Sequence, residues 1–165
     1  MRYEQPLYRP PSEAGSLIIQ ATIGCPHNRC AFCGLYRGTR FRVRPEAEVV
    51  EDLELARATY GDAVRTIFLA DGNCAALSTR RLVTLAEAAR QRFPRLERIT
   101  VYGSARFLAA KPLSEWRRIA AAGITRVHSG LESGDAETLE AIDKGVTPES
   151  AVAGFRHLMA AEMEL

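Results

Sequence analysis

Cys25-Pro26-His27-Asn28-Arg29-Cys30-Ala31-Phe32-Cys33-Gly34 places three thiols on one loop in a C-x4-C-x2-C spacing. That spacing lets three thiolates converge on a single centre. Soft sulfur ligands grouped in this way hold iron–sulfur clusters or zinc. Three thiolates leave one position of a four-iron cluster, or of a tetrahedral ion, without a protein sulfur. An open position is where a substrate or cofactor binds. Spacing alone leaves two readings level: a cluster held by Cys25, Cys30 and Cys33, or a zinc knuckle using Cys25, His27, Cys30 and Cys33 as Cys3His.

Outward from the loop, the chain alternates between two kinds of segment. Ser16 to Thr22, with Leu17, Ile18, Ile19 and Ile23, reads as a buried strand that delivers the cysteines at its C-terminal end. Phe41 to Pro45 is extended, and Glu46 opens a helix on which Val49, Val50, Leu53, Ala56 and Tyr60 follow a 3.6-residue period. The unit then repeats. Thr66–Ala70 is a second strand, followed by a helix striped by Leu82, Leu85, Ala86, Ala89 and Phe93 and ended by Pro94. Ile99–Tyr102 is a third, followed by a helix with Pro112 near its first turn, Trp116 and Ile119 inside and Gly123 at its stop. Ile124–His128 is the fourth, with a helix from about Asp135 to Lys144 and another opening at Thr147-Pro148.

Alternation of this kind predicts an α/β fold with parallel strands and right-handed crossovers. In a β/α barrel the chemistry sits where strands end and helices begin. The segments at those points are polar or glycine-rich: the cysteine loop, Asp71-Gly72-Asn73, Gly103-Ser104-Ala105-Arg106 and Ser129-Gly130-Leu131-Glu132-Ser133. Four such loops predict one shared pocket. The preceding strand, the Phe32-Cys33 pair and the repeated units favour the cluster over zinc, with His27 a loop residue.

Composition narrows the setting. With 165 residues and 47% hydrophobic content the chain can bury one ordinary core. A net charge of +2 gives no global reason to expect nucleic acid or an anionic membrane. No apolar run reaches the length of a membrane span, about 18 residues, and the N-terminus lacks a signal-peptide core. A cytoplasmic, reducing compartment is the expectation, and the clustered cysteines read as metal ligands rather than disulfides. The local run Arg37, Arg40, Arg42 and Arg44 either steers an anionic substrate or RNA or is a solvated loop.

The loop, the apolar stretch Ser16 to Gly24 before it and Phe32 just ahead of the last cysteine resemble the radical S-adenosylmethionine (radical SAM) enzymes. The family's commonest spacing is C-x3-C-x2-C, and the first gap here is one residue longer. Leu7-Tyr8-Arg9-Pro10-Pro11-Ser12-Glu13 through Phe41-Arg42-Val43-Arg44 resembles a branch near the anaerobic coproporphyrinogen oxidases and tRNA methylthiotransferases.

The resemblance implies a partial TIM-like barrel of about six β/α units, of which four are countable. The expectation is therefore a C-terminally truncated chain, with residues 1–15 an extended arm and residues 16–165 a partial radical SAM core, active as an enzyme in full-length form. It implies a [4Fe-4S] cluster on Cys25, Cys30 and Cys33, and S-adenosylmethionine cleaved reductively to a 5′-deoxyadenosyl radical that acts on an unknown substrate. A reductant protein of flavodoxin or ferredoxin type would supply the electron. Phe32 belongs to the implied cofactor site. Asp71-Gly72-Asn73 sits where the family carries a glycine-rich motif that meets the methionyl amino group. Glu132, in Gly130-Leu131-Glu132-Ser133-Gly134 and with Lys144-Gly145 beyond, is read either as a ribose contact or as a helix-entry acid. Ser104 and Arg106 are further cofactor candidates, Arg106 as a fork for the methionyl carboxylate or as a solvated side chain. Cys74 is expected to be a small buried hydrophobe rather than a fourth ligand. A non-catalytic iron–sulfur or zinc module is the alternative function.

Overall fold

The apolar run around Ile18 and Ile19 forms β1 (Leu17–Gln20), and one residue later the chain pairs again as β2 (Thr22–Ile23). The structure, a computed structural model, describes all of residues 1–165. After the cysteine loop the chain returns as β3 (Arg42–Val43), antiparallel to β2 with Thr22 opposite Val43. The following elements are α1 (Glu46–Tyr60), β4 (Thr66–Ala70), α2 (Thr79–Arg92), β5 (Arg98–Tyr102), α3 (Ala105–Ala109), α4 (Leu113–Ala122), β6 (Ile124–His128), α5 (Ala136–Ala141) and α6 (Pro148–Ala160). Strands β1, β4, β5 and β6 lie side by side in that order, every pair parallel. This is a partial barrel built from the four repeats expected from the sequence.

Strand alternation sorts the two faces of the sheet. Ile19, Ile67, Leu69, Ile99, Val101 and Val127 join Leu53, Leu82, Leu85, Trp116, Ile119 and Leu158 of the helices in one core. The intervening positions, including Gln20, Phe68, Thr100, Tyr102, Arg126 and His128, turn to the concave face. Residues 1–15, with one short 3-10 turn at Pro11–Glu13, lie against that face and the edge beside it. The Arg2 N–H donates to Asp52 (3.0 Å) and the Glu4 N–H to the Gln20 side chain (2.8 Å). Glu13 is fully buried and accepts from Ser16, Thr100 (3.1 Å) and Arg126 (3.3 Å), with His128 Nε2 at 3.2 Å.

Three local differences from the sequence reading have physical causes. The helix expected with Pro112 near its first turn and Gly123 at its stop is α4, capped by Pro112, but a short α3 that was not expected precedes it, and Pro112, which lacks an N–H, keeps the two from running on as one helix. The helix expected to reach Lys144 stops at Ala141, where Asp143 (φ +47°) and Gly145 (φ +70°) adopt left-handed conformations. Arg44 does not belong to an exposed basic run. It is 4% exposed, and its guanidinium donates to the Gln20 carbonyl (2.7 Å) and to Asp52 (2.8 Å).

At its far edge β6 is paired again. The Glu164 N–H donates to the Thr125 carbonyl (2.8 Å) and the Val127 N–H to the Glu164 carbonyl (2.9 Å), an isolated parallel bridge between Arg126 and Glu164. No helix is long and apolar enough to cross a membrane.

Candidate metal centre

The C-terminal ends of the strands converge on a cleft of about 270 Å³. Its walls include Cys25, Cys30, Phe32 and Cys33 from the loop after β2, Gly72 and Asn73 after β4, Ser104 and Arg106 after β5, and His128, Gly130, Glu132 and Lys144 from the β6 end and beyond. A larger recess of about 430 Å³ near the N-terminal ends of β1 and β4, walled by Tyr3, Arg9, Leu17 and Tyr60, brings no comparable set of polar groups together.

All three loop cysteines are free thiols, partly exposed. No group of three His, Cys, Asp or Glu side chains closes tightly enough to hold one metal ion. Three thiols on one wall of the cleft are the donor set of a multi-iron cluster, in which each thiolate would bind a different iron. His27 is engaged elsewhere, its Nε2 2.5 Å from the Asp143 carbonyl oxygen. Burial pushes the Cys30 thiol up, and the nearby Lys144 ammonium opposes that shift. Cys74 lies in the apolar core with Thr22 Oγ1 3.6 Å from its sulfur, and burial pushes its thiol up to about 12. It lies off the cleft wall.

The remaining candidates divide. Phe32 is 55% exposed, and the Lys144 Nζ stands 5.4 Å from its ring centre. An aromatic face open to the cleft suits stacking of a planar heterocycle. Gly72 lines the cleft at a close approach, where an added Cβ would meet the Tyr36 ring at 2.6 Å. Asn73 is buried and holds Ser104, its Nδ2 donating to Ser104 Oγ (2.9 Å) and its Oδ1 accepting from the Ser104 N–H (3.4 Å). Glu132 Oε1 accepts from Lys144 Nζ (3.0 Å). Arg106 is exposed at the rim and makes no ion pair.

Asp71 does not line the cleft. Its side chain is fully buried, takes the Tyr36 hydroxyl at Oδ1, and leaves Oδ2 without a partner. Burial raises its carboxyl to about 6, against hydrogen bonds from Tyr36 and the backbone of Gly24 and Gly72. Burial and the bond to Asp71 in turn raise the Tyr36 phenol.

Several cleft residues escaped the sequence reading as site members, among them Tyr36, Tyr102, His128 and Lys144. Strand parity offers a signal for two of them, since Tyr102 and His128 stand opposite each other at the ends of β5 and β6. Tyr36 has no such local signal.

Residues 19–164 match the family described as the Radical SAM superfamily. The chain belongs to this superfamily. Its members cleave S-adenosylmethionine and do radical chemistry with an iron–sulfur cluster, and the cofactors are a [4Fe-4S] cluster and S-adenosylmethionine. Among solved structures the chain is similar to the cobalamin-dependent S-adenosylmethionine radical enzyme OxsB with aqua-cobalamin bound (TM-score 0.75, 23% identity, over 90% of this chain and 23% of OxsB). It is also similar to methylornithine synthase PylB (TM-score 0.65, 15% identity, 90% of this chain and 42% of that one). Coproporphyrinogen III oxidase HemN from Escherichia coli, a radical SAM enzyme, aligns with TM-score 0.60 and 18% identity over 87% of this chain and 34% of its own. At these identities the likeness is one of fold. The chain spans 23% of the length of OxsB. A search of the curated proteins gives no match.

Proposed function

We propose that the cleft is a radical SAM site in which Cys25, Cys30 and Cys33 each bind one iron of a [4Fe-4S] cluster and leave the fourth iron to the amino and carboxylate groups of S-adenosylmethionine. The supporting observation is the donor set: three thiols of one loop on the wall of a single cleft, beside the polar ends of the other strands. Such a cluster, once reduced by one electron from the donor protein, would supply the electron that cleaves the sulfur–C5′ bond of S-adenosylmethionine to give methionine and a 5′-deoxyadenosyl radical for hydrogen abstraction.

The chain's own residues bind and orient. Phe32 offers its face to the adenine. The backbone at Gly72 offers polar contacts that no side chain obstructs, while the Asn73–Ser104 pair stiffens that wall. Glu132, held by Lys144, takes the ribose hydroxyls, and Arg106 takes a carboxylate at the rim. Asp71 acts from behind Tyr36 rather than on the cofactor. The electron donor is a small reductant protein of flavodoxin or ferredoxin type.

Anaerobic reconstitution tests the reading. The expected result is about four irons per chain and a reduced-cluster electron paramagnetic resonance signal that changes on adding S-adenosylmethionine. Alanine at Cys25, Cys30 or Cys33 abolishes both, and Cys74→Ala retains both. Stoichiometric zinc with no iron uptake would sink the proposal in favour of a non-catalytic metal module.

A further inference from the structure

The cysteine loop is held by a segment far away in the chain. From the loop, His27 inserts its ring against the turn that follows α5. Its side chain is 6% exposed, and its Nε2 lies 2.5 Å from the carbonyl oxygen of Asp143, 116 positions on. The ring fills the space where Gly145 has no side chain: a Cβ there would stand 2.6 Å from His27 Cε1. Three further contacts join the same two segments. The Ala31 N–H donates to the Ile142 carbonyl (2.8 Å), Arg29 Nε lies 3.5 Å from Asp143 Oδ2, and Lys144 sits over Phe32. Residues 142 to 145 thus touch the loop at positions 27, 29, 31 and 32, interleaved with the thiols at 25, 30 and 33.

We propose that His27 is a positioning residue for the three thiols: its imidazole, seated over Gly145 and bonded to the Asp143 carbonyl, fixes the register of the cysteine loop against the 142–145 turn. The proposal rests on the reading of the thiols as cluster ligands. Two properties set it apart from ligation. The ring acts through shape and one hydrogen bond to a backbone oxygen, so a side chain of similar reach with an N–H donor replaces it in part. The ring also adds its own demand for glycine at 145, on top of that of the left-handed backbone (φ +70°), and this added demand disappears when the ring is removed.

A double-mutant cycle with two readouts tests this. His27→Ala, His27→Gln, Gly145→Ala and the His27→Ala/Gly145→Ala pair are reconstituted, and iron release to a chelator is timed. Amide exchange at Ala31 and Cys33 is followed in the metal-free chains. His27→Ala and Gly145→Ala should each speed iron release about tenfold, with faster exchange at both amides, and the pair should release iron no more than about twentyfold faster than the parent. The left-handed backbone at 145 penalises alanine in both backgrounds, so the cycle isolates the clash with the ring. His27→Gln should recover to within about threefold of the parent.

Multiplicative effects near a hundredfold in the pair, or His27→Gln as damaging as His27→Ala, would overturn the proposal. Complete loss of metal binding in both His27 variants would make His27 a ligand and defeat it as well. Should the parent chain take up no iron, the cluster reading fails, and amide exchange still decides the contact: protection of Ala31 unchanged by His27→Ala would refute it.

Discussion

Beneath the Tyr36 ring, Asp71 holds a carboxylate with one oxygen satisfied and the other bare. Its folded pKa, about 6, lies above the ordinary 3.8, so the folded chain binds this proton more tightly than the unfolded one. The stability it contributes is fully present below about pH 4 and is lost as the pH rises through about 6. Asp71→Asn keeps an acceptor for Tyr36 and removes the charge. It should be more stable than the parent by roughly 1–3 kcal/mol at pH 8 and equal to it near pH 4, read from urea midpoints at the two pH values. A parent that is more stable at pH 8 would show that the carboxylate's hydrogen bonds outweigh its desolvation. The position of Asp71-Gly72-Asn73 after the second strand was legible from the sequence. The direction of the Asp71 side chain was not, because the two-residue alternation of a strand lapses at its end and Tyr36 arrives from a loop 35 positions earlier.

Among the elements, those with a repeating pattern were readable and those fixed by a single long-range pairing were not. Thr66–Ala70 and Ile124–His128 were placed by their own apolar and β-branched residues, and α6 by the Thr147-Pro148 pair, whose threonine does cap it by accepting from the Ser150 N–H (3.3 Å). The five-residue α3 carries too short a stripe to announce itself. Arg44 looked like its exposed neighbours because the partner that buries it, Asp52, lies on the inner side of the next helix. The pair joins β3 to α1 and, through the Gln20 carbonyl, to β1. Asp52→Ala leaves the buried guanidinium only the more exposed Glu48 carboxylate (3.3 Å) and removes the acceptor of the Arg2 N–H, and a loss of about 3 kcal/mol is expected from chemical denaturation. A loss below about 1 kcal/mol, the scale of a surface pair, would mean that Arg44 swings out to solvent.

Across the whole molecule, Glu13 ties the N-terminal residues to the concave face of the sheet, reaching β5 through Thr100 and β6 through Arg126 and His128. Burial alone would raise its carboxyl, but hydrogen bonds from Ser16, His128, Thr100 and Arg126 outweigh that and hold it below its ordinary 4.5. A carboxyl lowered in this way contributes stability above its unfolded pKa and loses it as the pH falls through the folded value. Glu13→Gln should therefore cost about 2–3 kcal/mol at pH 7, with the gap to the parent closing below about pH 4 as both side chains become neutral. A gap that persists unchanged to pH 3 would assign the loss to packing instead of charge.

The turn at residues 142–145 also bears on the order in which the molecule is made. Chains emerge from the ribosome N-terminus first, so the three thiols are synthesised more than a hundred residues before the segment that registers them. During that interval they sit on a nascent loop with neither the Asp143 carbonyl nor the Ile142 carbonyl to dock against. If the thiols hold a cluster as proposed, their arrangement for iron would be completed only when the fourth repeat closes, and cluster loading would follow translation of that repeat rather than accompany that of the first.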